Sequence, residues 1–211
     1  FKSDNLHISQ GWLDMHVNFG QPGFEQRETI ENGLNVAAKG GYTEVLLMPN
    51  TNPSIDNSSM IDFIKSFSKK HIVNIQVAGN LTMNQEGKNI VEIHDMTKNG
   101  CIAFTDDKKS IQNNELMKIA LLYMKNSDAL LMNYPNDIKM QNKGVINEGK
   151  ISTQLGLKGI PNIAEEMMLD RDISLCKYTD GKIHESYIST EKSVDKIKQA
   201  KEDGINISAD V

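Results

Sequence analysis

The sequence predicts an α/β fold, a parallel (β/α)8-type barrel carried about as far as its seventh strand. Three observations predict it. Strand-like and helix-like segments alternate strictly along the chain. The strand-like segments are near-continuous apolar runs, as expected of parallel strands buried on both faces. Polar side chains recur where those runs stop, at His16, Asn18, Asn50, Asn80, Asp106, Asp107, Asn133 and Tyr187. In a barrel, chemistry gathers at the C-terminal ends of strands. An open doubly wound sheet is the other arrangement that alternation allows.

The elements follow in order. Residues 13–19 read as a strand, and 28–39 as a helix closed by Gly40-Gly41. Residues 43–48 form an apolar strand stopped by Pro49, and 58–68 a helix with Met60, Ile61, Ile64 and Phe67 on one face. Then come strand 73–79, helix 90–98 ending before Gly100, strand 101–105 and helix 115–125. A short strand at 129–132 leads into a long polar connection running to about Gly159. Helix 162–178, strand 182–188, helix 194–203 and strand 206–211 complete seven strands and six helices.

Composition narrows the class. A chain of 211 residues can bury a substantial core, so one domain over residues 1–211 is expected. Net charge is −5 and the lysines are dispersed, which argues against nucleic acid or an anionic membrane as partner. No apolar run reaches the ~20 residues of a membrane helix, and no secretory signal is read at the start. Cys101 and Cys176 fall inside a predicted strand and helix and read as small buried hydrophobes, which fits a reducing cytoplasm. The eleven methionines read as adaptable core filler. The chain starts at Phe1 without Met and stops at Val211 inside an apolar run, so it is expected to belong to something longer.

The segment Asp14-Met15-His16-Val17-Asn18 is the most informative. Side chains two apart on a strand share a face, so a His-x-His ending aims two imidazoles at one point and suits zinc. Here the second position is the amide Asn18, a poorer ligand. With Gly11–Gly23 (GWLDMHVNFGQPG), Ala37–Pro53 (AAKGGYTEVLLMPNTNP), Leu155–Asp172 (LGLKGIPNIAEEMMLDRD) and Ile183–Thr190 (IHESYIST), the chain resembles the dihydroorotase family of cyclic amidohydrolases over nearly its whole length.

That resemblance implies an amidohydrolase-type barrel, with the last barrel unit and a small flanking β domain outside this chain. It implies one or two zinc ions at the barrel mouth, activating water and polarising a ring amide, with an Asp on the last strand shuttling the proton. Carried over residue by residue, it also implies loss. His16 matches the first histidine of the pair and Asn18 replaces the second. Gly20 stands where an Arg grips the substrate carboxylate. Asn50 matches a substrate-binding asparagine, and Asp107 a metal ligand, with Lys108 where Gly is usual. Asn133 falls at a strand-5 histidine ligand and Tyr187 at the strand-6 one, while His184 fills a family position that does not bind metal. His16 and Asp107 remain, where a catalytic zinc takes three ligands and water. No zinc, or weakly bound zinc, is expected, with Asn133 and Tyr187 filling the vacated space as a polar network.

The plainer readings are a hydrogen-bonded core histidine for His16, a turn for Asp106 and Asp107 with Lys108 and Lys109, and a structural role for Asn50. For Glu165, Glu166 and Arg171 the plainer reading is a solvated or interface helix face. His7, His71 and His94 read as solvated, and Lys108, Lys109, Lys143 and Lys150 as surface lysines.

The leading expectation is a dihydroorotase-like protein of pyrimidine biosynthesis, catalytically impaired or inactive, retained as a scaffold. Inactive chains of this family serve aspartate transcarbamoylase in that way, and a homo-oligomer is expected. The alternatives are an active metal-dependent cyclic amidohydrolase with an unusual site, and a sensor that binds a pyrimidine intermediate through Asn50 without turnover.

Overall fold

The computed structural model describes residues 4–5, 7–69 and 71–211; residues 1–3, 6 and 70 lie outside the description. The strands are β1 (Trp12–Val17), β2 (Tyr42–Leu47), β3 (Asn74–Gly79), β4 (Cys101–Phe104), β5 (Leu130–Asn133), β6 (Ile146–Asn147), β7 (Gly159–Ile160), β8 (Ile183–Glu185) and β9 (Ile207–Ala209). The helices are α1 (Ile30–Lys39), α2 (Ser58–Ser68), α3 (Ile93–Lys98), α4 (Asn114–Met124), α5 (Ile138–Gln141), α6 (Lys150–Leu155), α7 (Ile163–Thr179) and α8 (Glu191–Glu202). Seven strands form one sheet in the order β1-β2-β3-β4-β5-β8-β9, every pair parallel. The sheet curls far enough that His16 of β1 meets Asp210, just past β9, across the seam between its two edge strands. Among the described residues, no helix is long and apolar enough to cross a membrane.

Helices begin where the sequence supplies an acceptor for their free N–H groups. Thr29, Asn57, Asn113, Asp137 and Thr190 each take a backbone N–H from the first turn of the helix that follows. Two corrections to the predicted elements follow from short-range structure. The connection 133–159 is not structureless: α5, β6, α6 and β7 build a small appendage with its own two-stranded parallel sheet. Helix α3 starts at Ile93 rather than residue 90, because Ile90 is held in an antiparallel bridge to Thr82.

Each strand divides its side chains between two cores. Outward-facing Val45, Leu47, Ile75, Val77, Phe104, Leu131, Ile183 and Ile207 pack with the helices in the large cluster. Inward-facing Leu46, Met48, Ala78, Ala103 and Met132 make a smaller one inside the curl. Strand β1 departs from simple alternation. Between Asp14↔Val45 and Val17↔Leu47 it holds one residue more than β2, a bulge. Bulges re-aim side chains, and this one lets Met15 pack inside while His16 also turns to the mouth.

Between the sheet and α7 lies a buried polar cluster that the sequence reading placed on a solvated helix face. Asp172 is fully buried, with Arg171 Nε at 2.9 Å and Asn133 Nδ2 at 2.8 Å. Glu165 and Glu166 are buried too, and Glu165 accepts from the backbone N–H and hydroxyl of both Ser189 and Thr190, fixing the β8–α8 turn. Glu185 is fully buried with both carboxyl oxygens unpartnered. Burial, then the charge of Asp172, pushes the Glu185 carboxyl well above its usual range despite Arg171, so Glu185 holds the proton.

A folded state that keeps a proton the unfolded chain releases loses stability as pH rises above the unfolded value near 4.5. Glu185→Gln removes that loss. Urea denaturation should show its stability relative to the unsubstituted protein growing with pH from about 4.5 upward, by at most about 1.4 kcal/mol per pH unit. A difference that does not change with pH would contradict a protonated Glu185.

Candidate functional site at the strand ends

Seven side chains from five strand ends meet at the mouth in one hydrogen-bonded chain. Asn50, past β2, donates through Nδ2 to Asn18 Oδ1 (2.8 Å) and to Asp107 Oδ2 (2.5 Å). The Tyr187 hydroxyl, past β8, donates to Asp107 Oδ1 (2.9 Å) and lies 3.0 Å from His16 Nδ1. His16 Nε2 in turn lies 2.6 Å from Asp210 Oδ2, and His184 Nε2 lies 2.9 Å from the same oxygen. The Asp210 carboxylate also accepts the Tyr187 backbone N–H at 2.8 Å. Gln85 closes the other end, donating to Asn50 Oδ1 at 3.2 Å.

The electrostatics follow from these contacts. Burial opposes ionisation of Asp210, but hydrogen bonds from His184, the Tyr187 N–H and His16 hold its carboxyl below the usual range. Burial, then the Asp107 carboxylate, pushes the Tyr187 phenol up, so it stays a neutral donor. The Lys108 ammonium lies 5.4 Å from the Tyr187 ring centroid. Asp107 and Tyr187 have φ of 51° and 62°, left-handed values that non-glycine residues seldom take. Both ends of the phenol–carboxylate bond are thus held by backbone that costs energy to keep.

The structure brings His16, Asn18, Asn50, Asp107 and Tyr187 together. It does not bring Asn133 with them. Asn133 is paired with Glu185 on the outward face of the sheet and binds Asp172 and the Ile111 N–H. A strand's faces alternate, so one position decides the matter. The next residue, Tyr134, faces the mouth, its ring edge-on to Tyr187 at 5.9 Å between centroids. Asp106 also parts from Asp107: it accepts the Leu81 and Thr82 N–H groups and the Thr82 hydroxyl, tying β4 to β3. Gly20 carries no cation, yet a Cβ built there would lie 3.3 Å from Arg27 Nε, so a guanidinium from seven residues on stands at that place. Sequence reasoning missed Asp210, Tyr134 and Arg27 and set His184 aside. The alternation His184-x-Ser186 and Ser208-x-Asp210 at the ends of apolar strands was the available signal.

A zinc ion held at the ligand positions that the resemblance implies does not fit these residues. The Tyr187 hydroxyl stands between His16 and Asp107, both Asp107 oxygens are engaged, and the Asn18 side-chain oxygen is taken by Asn50. Two buried or half-buried groups depend on that hydroxyl. Tyr187→Phe should therefore cost about 1–3 kcal/mol in urea denaturation, the penalty of leaving both unpaired. An unchanged midpoint would mean that the hydroxyl contributes nothing there.

Comparison with known proteins follows the same outline. Residues 7–193 match the family described as Dihydro-orotase-like. The dihydroorotase of Thermoanaerobacter sp. (strain X514) is 43% identical over 206 residues, covering 97% of this chain and 48% of that protein. The dihydroorotase of Caldanaerobacter subterraneus subsp. tengcongensis is 40% identical over 210 residues, 99% of this chain and 49% of that protein. The chain therefore spans about half the length of the curated relatives it matches. Among solved structures, L-hydantoinase from Arthrobacter aurescens superposes with a TM-score of 0.77 at 16% identity, over 95% of this chain and 46% of that one. Dihydroorotase from Saccharomyces cerevisiae in complex with 5-fluoroorotic acid gives 0.66 at 15% identity, over 96% and 56%. With seven parallel strands in barrel order and this extent of match, the chain belongs to the dihydroorotase-like family.

Proposed function

We propose that this chain is a dihydroorotase-like barrel of pyrimidine biosynthesis whose hydrolytic centre has become a hydrogen-bonded lock, and that it acts in assembly, as a scaffold for aspartate transcarbamoylase. One observation carries the first part: the Tyr187 hydroxyl bridging His16 and Asp107. Hydrolysis of a ring amide near neutral pH needs an activated water and a polarised carbonyl. The groups that the family uses for both are here bonded to each other. Asn18 adds the loss of an imidazole at its position, whereas the guanidinium missing at Gly20 has that of Arg27 beside its place.

Support for assembly is of two kinds. The resemblance includes inactive chains that serve as scaffolds. The α5–α7 segment also leaves Val145, Ile151, Leu155, Ile163 and Met167 about half exposed or more, apolar side chains that a partner could cover.

The full-length protein, supplied with zinc, should neither hydrolyse dihydroorotate nor cyclise N-carbamoyl-aspartate above the rate in buffer, and should co-elute with aspartate transcarbamoylase. Turnover that a chelator abolishes and zinc restores would defeat the loss of hydrolysis. Separate elution at concentrations near those in the cell would defeat the scaffold.

A further inference from the structure

We infer that His16, His184 and Asp210 form a binding site for one divalent transition-metal cation of the zinc class, on a ligand set other than the one the family resemblance assigns. The two sets share His16 alone. The ligand atoms of these three residues all lie within 4.8 Å of one another. Two imidazoles and a carboxylate are a sufficient protein donor set for a zinc ion that keeps one open position.

Both rings are held from behind. Imidazoles that bind metal through one nitrogen have the other held by a hydrogen-bonding partner, which fixes ring orientation and tautomer. Here each imidazole has such a partner on Nδ1: the Tyr187 oxygen for His16 (3.0 Å) and Ser208 Oγ for His184 (2.8 Å). The Tyr187 hydroxyl spends its proton on the Asp107 carboxylate, so its oxygen accepts from His16 Nδ1–H. Without a cation the Nε2–H groups donate to Asp210; a cation that displaces those protons to solvent finds Nδ1–H still held and the Nε2 lone pair of His16 facing His184 Nε2 and Asp210. The Ser208 hydroxyl can accept from His184 Nδ1–H in the same way. The Asp210 carboxylate is anchored by the Tyr187 N–H on Oδ1, which aims Oδ2 at both rings.

Size fits as well. Tetrahedral zinc with bonds of 2.0–2.1 Å sets its ligand atoms about 3.3 Å apart. Oδ2 lies 2.6 and 2.9 Å from the two Nε2 atoms, so it need withdraw by less than about 1 Å. His184 is buried, while His16 and Asp210 keep 19% and 26% of their side-chain surface exposed, enough for a cation to enter from the mouth. A cation here joins β1 to β8 and β9 across the open seam, so its effect is structural.

The site is independent of the proposed loss of hydrolysis, since it restores neither the imidazole at Asn18 nor a free Asp107. The test is titration of the chelator-treated full-length protein with zinc by calorimetry, and with cobalt(II) followed by its visible absorption. One equivalent should bind and raise the unfolding temperature. His184→Ala should weaken binding by at least tenfold and by more than Asp107→Asn, which removes a group behind the His16 ring and no ligand, so one equivalent should still bind to the latter. Should His184→Ala fail to fold, His184→Gln, whose amide can keep the bond to Ser208, serves in its place with the same expectation. No binding to the unsubstituted protein, binding that survives the His184 substitution, or a loss with Asp107→Asn as large as that with His184→Ala would each overturn the assignment. Zinc-dependent turnover of dihydroorotate would sink the loss of hydrolysis and leave this site standing.

Discussion

The mouth of this partial barrel depends on one hydroxyl. Tyr187 joins the carboxylate past β4 to the imidazole of β1, and that imidazole joins β1 to Asp210 past β9 across the seam where the sheet has no main-chain pairing. A hydrogen bond to a charged group contributes about 1.5–3 kcal/mol, and one between neutral groups about 1 kcal/mol. Because every member has its partner, removing any one leaves another unpaired in partly dry surroundings.

Under the proposed function, the same arrangement lets the barrel keep its shape without a cation at the family's ligand positions. Metal ligands concentrate lone pairs at one point, which is tolerable only when a cation neutralises them. The Asn50 amide and the Tyr187 phenol put donors among those acceptors, and Asn18 takes the amide as an acceptor. Asp107 then receives two hydrogen bonds, from Asn50 and Tyr187. The left-handed backbone at Asp107 and Tyr187 is the cost of aiming these groups at each other.

Much of this was legible in the sequence. The seven barrel strands were found because each is an apolar run bounded by Gly, Pro or polar residues, and the mouth was found because polar residues end those runs. The appendage was not, since strands of two residues and helices of four to six are too short to show a period. Asn133 was placed at the mouth and Tyr134 overlooked because the resemblance fixed that strand end only to within one position, and one position inverts the face. Asp210 escaped notice because its importance comes from His16, 194 residues away. The β1 bulge that turns His16 inward depends on register with β2, which no local pattern in residues 12–17 encodes.

The most direct measurement is anomalous scattering at the zinc absorption edge from crystals of the full-length protein grown with excess zinc. The expected result is the Tyr187 hydroxyl in hydrogen-bonding contact with both His16 and Asp107, and no anomalous peak between those two residues. A peak coordinated by Asp107 and His16, with the phenol swung away, would contradict it.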